Sequence, residues 1–500
     1  MRLRRAMLAG FALLPAATAL PGAVRADTPP ASVLEGALRD WLVALLGPHG
    51  GIGRRPVQVA PQGDDFALTV PVAGPLADTS ATLAGPPATA TLRRLDGGRW
   101  ALDDIRLPTP LRVTVPGPAG TGVWTATVQD QDHHAVLDPS LATTSTWDGT
   151  IGGYATTWHG PDGERQTEAA HIRSHLVWQP AGGGRVDVTE TASSDLLASN
   201  ARMASNARMA HAGLVSFSAA HSQLALHIDG LSPDRLAPLL HAVLGAVARA
   251  EAALPAPADH PSTDHRRLSP VQRQVLAAAL DAAGSLLGGF DEQVRLENVQ
   301  FAGTGLNMAL RTAEFGFSVE APNGVLQLRQ HLLLDGIDSG RLPQGPLRAF
   351  LPRRVALTPW VSGLSLARVQ QVLRDAADDP DNPMLAAEAT ALAQDGSLTL
   401  GLDDVAVDLA QTRFTGSAEI EVAGGDFGAL RAQARISATG LDSLIDDARA
   451  VPQLQSALPT LLFLKGLGRE ADGATVWNVV VAEGHVRVND TDLGHLLPGR

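Results

Sequence analysis

Leu111-Arg112-Val113-Thr114-Val115 decides the fold class, because its apolar and polar residues alternate strictly. Successive side chains of a strand point to opposite faces of a sheet, so the three aliphatic residues would share one face. A related run follows at 123–128, and segments of the same period extend from about residue 57 to about residue 228. Turn sequences such as Asp96-Gly97-Gly98 and Gly182-Gly183-Gly184 separate them. The pattern predicts an antiparallel meander with one buried face.

A junction of the form Gly-aliphatic-Ser/Asp recurs four times after an apolar or alternating run. The copies are Asp229-Gly230-Leu231-Ser232, Asp335-Gly336-Ile337-Asp338, Ser362-Gly363-Leu364-Ser365 and Thr439-Gly440-Leu441-Asp442. Glycine lets the chain turn out of the sheet, and a Ser or Asp side chain caps the first free N–H groups of a helix. We therefore expect helices after Ser232 and Ser365. The second should bury Leu366, Val369, Val372 and Leu373.

The C-terminal part repeats the alternation in short runs that can pair as hairpins. Leu398, Leu400 and Leu402 form one alternating run, and aliphatic residues at 405–409 and 418–422 form the next two, which can pair with it. A last hairpin should turn at Glu483-Gly484. Helices are predicted at 35–46 and 454–467. The fold class is therefore α+β and β-dominated, with long curved antiparallel sheets, helices packed on one face, and strand–Gly–Leu–Ser/Asp–helix units.

The first 26 residues are typical of a secretory signal peptide. Arg2, Arg4 and Arg5 precede an apolar run at 6–20, and Val24-Arg25-Ala26 offers a cleavage site after Ala26. We expect a periplasmic protein, and Arg4-Arg5 leaves both the general and the twin-arginine export route open. The predicted domains are 27–253 (a helix plus a β meander), a Pro-rich linker at 254–270, and a β-rich domain with helices at 271–500.

Composition limits the classes of partner. The chain has no cysteine, so disulfides and lipid attachment at a cysteine are excluded. Its formal net charge is −13, and becomes −17 without residues 1–26, which hold four arginines and no acid. Such a charge repels phosphate backbones, so we expect no nucleic acid as a partner. No later stretch reaches the roughly 18 apolar residues of a membrane span.

A tandem duplication interrupts the alternating region. The hexapeptide Ala-Ser-Asn-Ala-Arg-Met occurs at 198–203 and again at 204–209. Insertions are tolerated best where the backbone is exposed, so the duplication predicts a surface loop or a helix end.

The C-terminal third resembles a known family. Its features are Phe414-Thr415-Gly416-Ser417-Ala418, Ala438 to Leu444 before a helix, the link 468–473, and a closing hairpin with Val486-Arg487-Val488-Asn489-Asp490. With the signal peptide and the helix ending near Trp41, these resemble a domain-of-unknown-function family of exported alphaproteobacterial proteins, which are periplasmic and β-rich. The resemblance implies a fold and no assigned activity.

Three groups of residues are candidates for chemical sites. His171, Arg173 and His175 would lie on one strand face, where the arginine would repel a cation. Asp259-His260 and Asp264-His265 fall in the linker, and Asp130, Asp132, His133 and His134 read as a turn. The sequence contains no nucleophile elbow, zinc-protease motif or nucleotide-binding loop. We therefore assign no catalytic, cofactor-binding or metal-binding residue, and predict no cofactor.

The leading functional hypothesis is a non-enzymatic binding or scaffold role at the cell envelope, with a lipid, another apolar ligand or an envelope protein as the partner. The alternative is a periplasmic hydrolase acting on an envelope polymer. A scaffold would use an exposed strand edge, such as that of the closing hairpin, to extend the sheet of its partner.

Overall fold

The computed structural model describes residues 31–46, 57–75, 81–117, 120–138, 143–161, 163–203, 214–233, 288–303, 306–338, 346–378, 392, 397–423, 430–482 and 484–495. Two compact units divide the chain. The first unit comprises Met1–Phe290 with Ala377–Pro380, and the second comprises Asp291–Ala376 with Asp381–Arg500. The predicted signal peptide and the predicted linker at 254–270 lie outside the described residues.

The first unit contains helix α1 and fourteen strands in its described part. Its elements are α1 Ala31–Leu46, β1 Gln58–Gln62, β2 Asp65–Val70, β3 Gly74–Pro75, β4 Thr82–Ala84, β5 Ala88–Arg94, β6 Trp100–Arg106, β7 Leu111–Gly117, β8 Gly120–Asp138, β9 Thr143–Gly160, β10 Gly163–Gly182, β11 Arg185–Ser194, β12 Leu196–Met203, β13 Leu214–Ala219 and β14 His221–Leu231. The pairings of β1 with β2, of β7 with β8 and of β8 through β11 in succession are antiparallel, as the alternation predicted.

Three strands of 18 to 20 residues, β8, β9 and β10, form the middle of this sheet. Each outer neighbour of the trio is split into two shorter strands. The first half of β8 pairs with β7 and its second half with β6. In the same way, the first half of β10 pairs with β12 and its second half with β11.

One hydrophobic cluster closes the N-terminal end of the sheet. Leu34 and Leu38 of α1 are both buried there, on the apolar side that the helical spacing predicted. Phe66 and Trp100 meet edge to face, with ring centroids 6.0 Å apart. The buried members are Leu34, Leu38, Val57, Val59, Phe66, Leu68, Ala90, Leu92, Trp100, Ile105, Ala135 and Leu137.

The predicted turn at 130–134 is wrong, since β8 continues through it as a strand. Asp130 takes a left-handed conformation with φ of 50°, which aspartate tolerates better than most residues. The buried side of β8 changes there from the even residues Ala126 and Val128 to the odd residues beginning with His133. His171 of β10 has φ of 48° and lies in the same row, beyond Gly152 of β9. This row lets long strands bend while their pairing continues.

The predicted surface loop at the duplication is also wrong for its first copy. Residues 198–203 belong to β12, which pairs with β10 and with β13. Ser199 is buried, and its hydroxyl lies 3.4 Å from the hydroxyl of Thr167. The alternating pattern of residues 198–203 is compatible with a strand, so their backbone pairing in the sheet outweighs the preference of their polar side chains for a loop. The second copy, 204–209, lies outside the described residues.

The second unit is a strand meander with helices after two of its turns. Its elements are β15 Gly289–Gly303 (in this unit from Asp291 on), β16 Leu306–Glu320, β17 Val325–Asp335, β18 Arg354–Ser365, α2 Leu366–Asp378, β19 Ser397–Asp408, β20 Arg413–Ala423, β21 Arg431–Thr439, α3 Leu441–Ala450, α4 Leu458–Leu467, β22 Arg469–Ala471, β23 Ala474–Ala482, β24 His485–Val488 and β25 Thr491–His495. From β16 to β21 each strand pairs with the next, and β21 then pairs with β23. The described chain is mostly antiparallel strand, so the β-dominated class is confirmed.

The glycines of the four recurring junctions all have positive φ: 58° at Gly230, 66° at Gly336, 88° at Gly363 and 71° at Gly440. Such angles favour glycine, since a Cβ crowds the backbone there. Two junctions lead directly into described helices, α2 and α3. The Ser365 hydroxyl accepts a hydrogen bond from the Arg368 amide at the start of α2. Of the four residues of α2 expected to be buried, Leu366, Val369 and Val372 are half-buried and Leu373 is exposed.

A second hydrophobic cluster joins α3 to the sheet. Its buried members are Ala438, Leu441, Leu444, Ile445, Trp477 and Val488. Residues of α4, namely Leu458, Leu461 and Leu467, pack on its margin. Among the described helices, none combines the length and the apolar character needed to cross a membrane.

Candidate ligand-binding face

The two faces of the second unit's sheet differ sharply in chemistry. Directly paired residues of adjacent strands lie on the same face, so the registers sort every position. On one side β17 presents Leu326, Leu328, Leu332 and Leu334, with the polar Gln330 between them, and its neighbours continue mainly with aliphatic and aromatic residues. We call this side the apolar face. The alternate residues, such as Arg329 of β17, make the opposite face polar.

One row of the apolar face crosses eight consecutive strands without a polar residue. The pairings run from β16 through β21 and on to β23 and β24. We call these residues the apolar row: Val319, Leu328, Val361, Leu400, Ile420, Ala432, Val481 and Val486. With strands about 4.8 Å apart, the seven steps between them extend the row over about 34 Å.

No member of the apolar row is buried. Seven are half-buried, and Leu400 is 40% exposed. Phe315 and Ile436, elsewhere on the same face, are exposed as well. Single exposed apolar residues are ordinary on protein surfaces, whereas a contiguous apolar strip of this length is typical of a binding surface.

Helix packing accounts for only one end of the apolar face. Ala438 and Trp477 are buried, and both belong to the cluster that includes α3. The row of Ala438 runs from Phe414 to Thr475, which is also buried, and Trp477 lies in the neighbouring row with Ile436. The apolar row lies six residues farther along the strands, beyond the buried members of this cluster.

The opposite face carries hydrogen bonds and ion pairs between strands. Arg295 of β15 donates to Glu314 of β16 over 2.9 Å, and a ring nitrogen of His331 lies 3.2 Å from the buried Thr358 hydroxyl. Arg329 and Asp403 form an ion pair at 3.5 Å. These cross-strand polar contacts stabilise the sheet on the opposite face, which therefore differs in chemistry from the apolar face.

The first unit has the reverse arrangement, with polar groups on its buried face. His133 is 2% exposed, and neither of its ring nitrogens has a hydrogen-bond partner among the described residues. Its ring lies 5.2 Å from that of Trp147 and rests over Gly149, where a Cβ would come within 2.5 Å of the His133 Nδ1 atom. Burial lowers the pKa of His133 to about 4, only partly opposed by the charge of Asp132.

Two more titratable groups occupy this face. Burial raises the pKa of Glu190 above its usual range, and burial also raises the pKa of Tyr154 to about 12. Glu190 lies between Leu176 and Leu226 of the neighbouring strands. These aliphatic neighbours favour the neutral acid over the carboxylate, so Glu190 holds its proton to higher pH than an exposed glutamate would.

The geometry around His133 does not assemble a nucleophile with its base. Ser174 lies across Gly149 from His133, but its hydroxyl makes no hydrogen bond to the histidine ring. Serine activation requires that contact together with a group that orients the ring. This pair therefore gives the hydrolase alternative no support.

The two strand histidines singled out in the sequence, His171 and His175, are exposed. His175 pairs with Asp148 at 2.6 Å, and His171 pairs with Asp195 at 3.2 Å. Each thus has a carboxylate partner, although Asp195 also pairs with His221 at 3.6 Å, and Arg173 is exposed between them. The pairs at 259–260 and 264–265 lie outside the described residues. Within the described ranges no group of three or more potential ligands is placed to hold a metal ion.

The apolar row was not found from the sequence, although its signal is present there. Alternation identified Leu398, Leu400 and Leu402 as one side of a strand. Their joining into one row depends on strand register, including the shift between Leu402 and Val405 that keeps both on the apolar face. Exposure of the row cannot be read from alternation at all, because core and binding surface share the same pattern.

Comparison with protein-family models, curated proteins and solved structures finds no match to this chain.

Proposed function

We propose that this chain is a non-enzymatic protein of the cell envelope that holds the acyl chain of a lipid on the apolar face of its second unit. The observation that carries the proposal is the apolar row, whose members cross eight strands and of which none is buried. Covering apolar surface stabilises a complex by roughly 25 cal/mol per Å², so an uncovered row favours an apolar occupant.

The dimensions favour an extended hydrocarbon chain. The row extends over about 34 Å, and because two acyl chains end to end span the roughly 30 Å hydrocarbon core of a bilayer, the row is long enough for one fully extended chain or two in line. Its side chains are aliphatic and of unequal size, from Ala432 to Leu400, which makes a surface that a flexible chain can follow. Backbone polar groups within a sheet are used in its ladder, so the face offers shape and apolar contact instead of hydrogen bonds.

A lipid explains this face better than a protein partner does. A peptide that binds by strand addition pairs with a sheet edge, where backbone N–H and C=O groups are free. The apolar row lies across the middle of the sheet, on its face. Proteins that dock on such faces bring an amphipathic helix of their own, whereas an acyl chain needs no folded partner.

The helices fit a one-sided arrangement. Leu441 and Leu444 of α3 contact the side of the sheet that holds Trp477, and this is the apolar face. We infer that the strand–Gly–Leu–Ser/Asp–helix junctions serve to return helices over this face and so leave a groove between them. The positive φ at Gly363 and Gly440 supports this, since each begins such a return.

The envelope location rests on the sequence. Residues 1–26 have the composition of an export signal, so the proposal places the mature protein in the periplasm. Its acidic charge disfavours nucleic acid and strongly anionic surfaces. The resemblance inferred from its C-terminal third would imply the same location.

Native mass spectrometry of the protein, purified from its own envelope fraction without harsh detergent, tests the proposal. We expect a discrete mass increment of lipid size on the wild type. Leu400→Glu introduces a charge into the apolar row and should lower the occupied fraction at least about tenfold. Val480→Glu is the matched control, because Val480 is 46% exposed on the opposite face of the same sheet and its variant should keep the increment.

Two results would contradict the proposal. One is a clean mature mass together with no uptake of fluorescent fatty acids. The other is an increment that both variants retain, since the lipid would then lie elsewhere.

A further inference from the structure

Helix α4 exposes three large apolar residues in succession. Leu462 is 46% exposed, Phe463 57% and Leu464 45%. No described residue of this ten-residue helix is buried. A globular protein normally turns such residues into its core, so three together on one helix need an apolar phase to cover them.

Their order along the helix indicates what kind of phase this is. Successive residues of an α-helix differ by about 100° around its axis, so these three fan out over about 200°. A helix that docks in a protein groove presents one narrow side, with anchors spaced three or four residues apart. One side of a groove cannot cover three side chains that point over about 200° around the helix, whereas lipid molecules can surround all three.

The helix is held in place by its remaining residues. Leu461 and Leu467 pack against the cluster of α3 and the sheet. The indole N–H of Trp477 donates to the carbonyl oxygen of Leu464 over 2.7 Å. Trp477 lies on the apolar face, so the exposed residues project from the helix that borders this face.

The charged residues near Leu462, Phe463 and Leu464 form ion pairs. Lys465 of α4 forms an ion pair with Asp442, and Arg469, just after the helix, pairs with Asp490. Arg449 of α3 pairs with Asp446 at 2.7 Å. These bases are already neutralised by acids of the chain itself, which favours a zwitterionic surface over an anionic one.

We propose that α4 docks this protein on a lipid bilayer by inserting Leu462, Phe463 and Leu464 among zwitterionic headgroups. The docking goes beyond acyl-chain binding and does not depend on it. It brings the border of the apolar face to the membrane, from which a lipid could be taken. Because the contact is apolar, binding should change little with salt.

Flotation with phosphatidylcholine vesicles tests the docking. The wild type should float with them at both low and high salt. Phe463→Ser should weaken vesicle binding about tenfold, and the triple change to Ser at 462–464 should weaken it at least about a hundredfold. Leu373→Ser is the matched control, because Leu373 is an exposed leucine on another helix of this unit and its loss should leave flotation unchanged.

A second readout uses the absence of cysteine from the chain. Phe463→Cys carrying an environment-sensitive fluorophore should shift to the blue on addition of vesicles, while the same label at Leu373→Cys should not. The proposal is overturned if the wild type does not float, if the triple variant floats like the wild type, if only anionic vesicles bind and salt releases them, or if the label at 463 stays in water.

The two proposals fail separately. The triple variant should keep the lipid mass increment, and Leu400→Glu should keep flotation. Loss of flotation with a retained increment would show that the residues of α4 serve docking alone.

Discussion

The two units share antiparallel strand pairing but differ in which residues they bury and which they expose. The first buries polar groups, including His133 and Glu190, on the inner face of its long strands. The second leaves apolar residues such as Leu400 and Phe315 exposed on one face of its meander. Both arrangements cost stability, since an unpaired buried polar group and an uncovered apolar strip are each unfavourable.

The difference indicates where a function can lie. Polar groups in the first unit are enclosed by neighbours, as Gly149 and Trp147 enclose His133, so they affect stability and its pH dependence. The apolar face of the second unit is accessible, so it can gain a ligand. An uncovered surface can act on another molecule, whereas an enclosed group acts first on its own fold.

The sharpest test of this contrast compares two leucines. Leu92 is 2% exposed in the core of the first unit, and Leu→Ala at such a site typically costs 2–5 kcal/mol, so we expect about 3 kcal/mol. Leu400→Ala should cost less than about 1 kcal/mol, because much of its surface is already in water. Urea unfolding of the two variants measures both, and equal losses would break the comparison.

Acidification should destabilise the first unit through His133. Its pKa is about 4 in the folded chain, against 6.5 for a free histidine. The unfolded chain therefore binds more protons between these values, so the stability contribution is complete above pH 6.5 and is lost as the pH falls towards 4, by up to about 3 kcal/mol. His133→Phe should flatten this dependence and raise stability at pH 7 by about 1 kcal/mol. Thermal unfolding from pH 4 to pH 8 gives the measurement, and an unchanged slope would contradict the burial of His133.

Glu190 should act in the opposite direction. Burial raises its pKa, so the folded chain holds a proton that the unfolded chain has released. Its stability contribution is complete below pH 4.5 and is lost as the pH rises through the raised value. Glu190→Gln keeps the shape without the titration and should be about 1 kcal/mol more stable than the wild type at pH 8. The gain should shrink towards pH 4.5, and a gain independent of pH would exclude this explanation.

The smallest effect concerns the start of α2. Ser365→Ala removes the hydroxyl that accepts from the Arg368 amide over 3.5 Å, a long hydrogen bond. We expect a loss of about 0.5 kcal/mol in unfolding free energy, at the low end for a helix cap. Ser365→Asp should restore it, since aspartate caps equally well. A loss above about 2 kcal/mol would mean that α2 is held mainly by its first turn.

The sequence predicted strands well wherever the alternation is local. The runs at 111–115 and 398–402 are strands, and the chain turns between Ala482 and His485 as expected. The predicted turn at 130–134 was wrong, because nothing in the local sequence distinguishes a left-handed residue inside a long strand from a turn. The predicted loop at 198–203 was wrong, because pairing with β10 and β13 depends on residues far along the chain.

The candidate site was less predictable than the fold. The apolar face follows from the alternation, but its continuity depends on the registers of eight strands, including a shift near Asp404, whose φ is 52°. The exposed residues of α4 were visible as the apolar run 461–464, and a buried helix would show the same run. Only the packing of the remaining residues shows that Phe463 faces outward.

The most direct measurement of the central claim is photo-crosslinking with a fatty acid that carries a diazirine along its chain, followed by peptide mapping. The account predicts crosslinks at residues of the apolar row, such as Leu328, Leu400 and Ile420, and none at the alternate residues Arg329 or Glu419 on the opposite face. Crosslinks spread equally over both faces, or confined to the first unit, would contradict it.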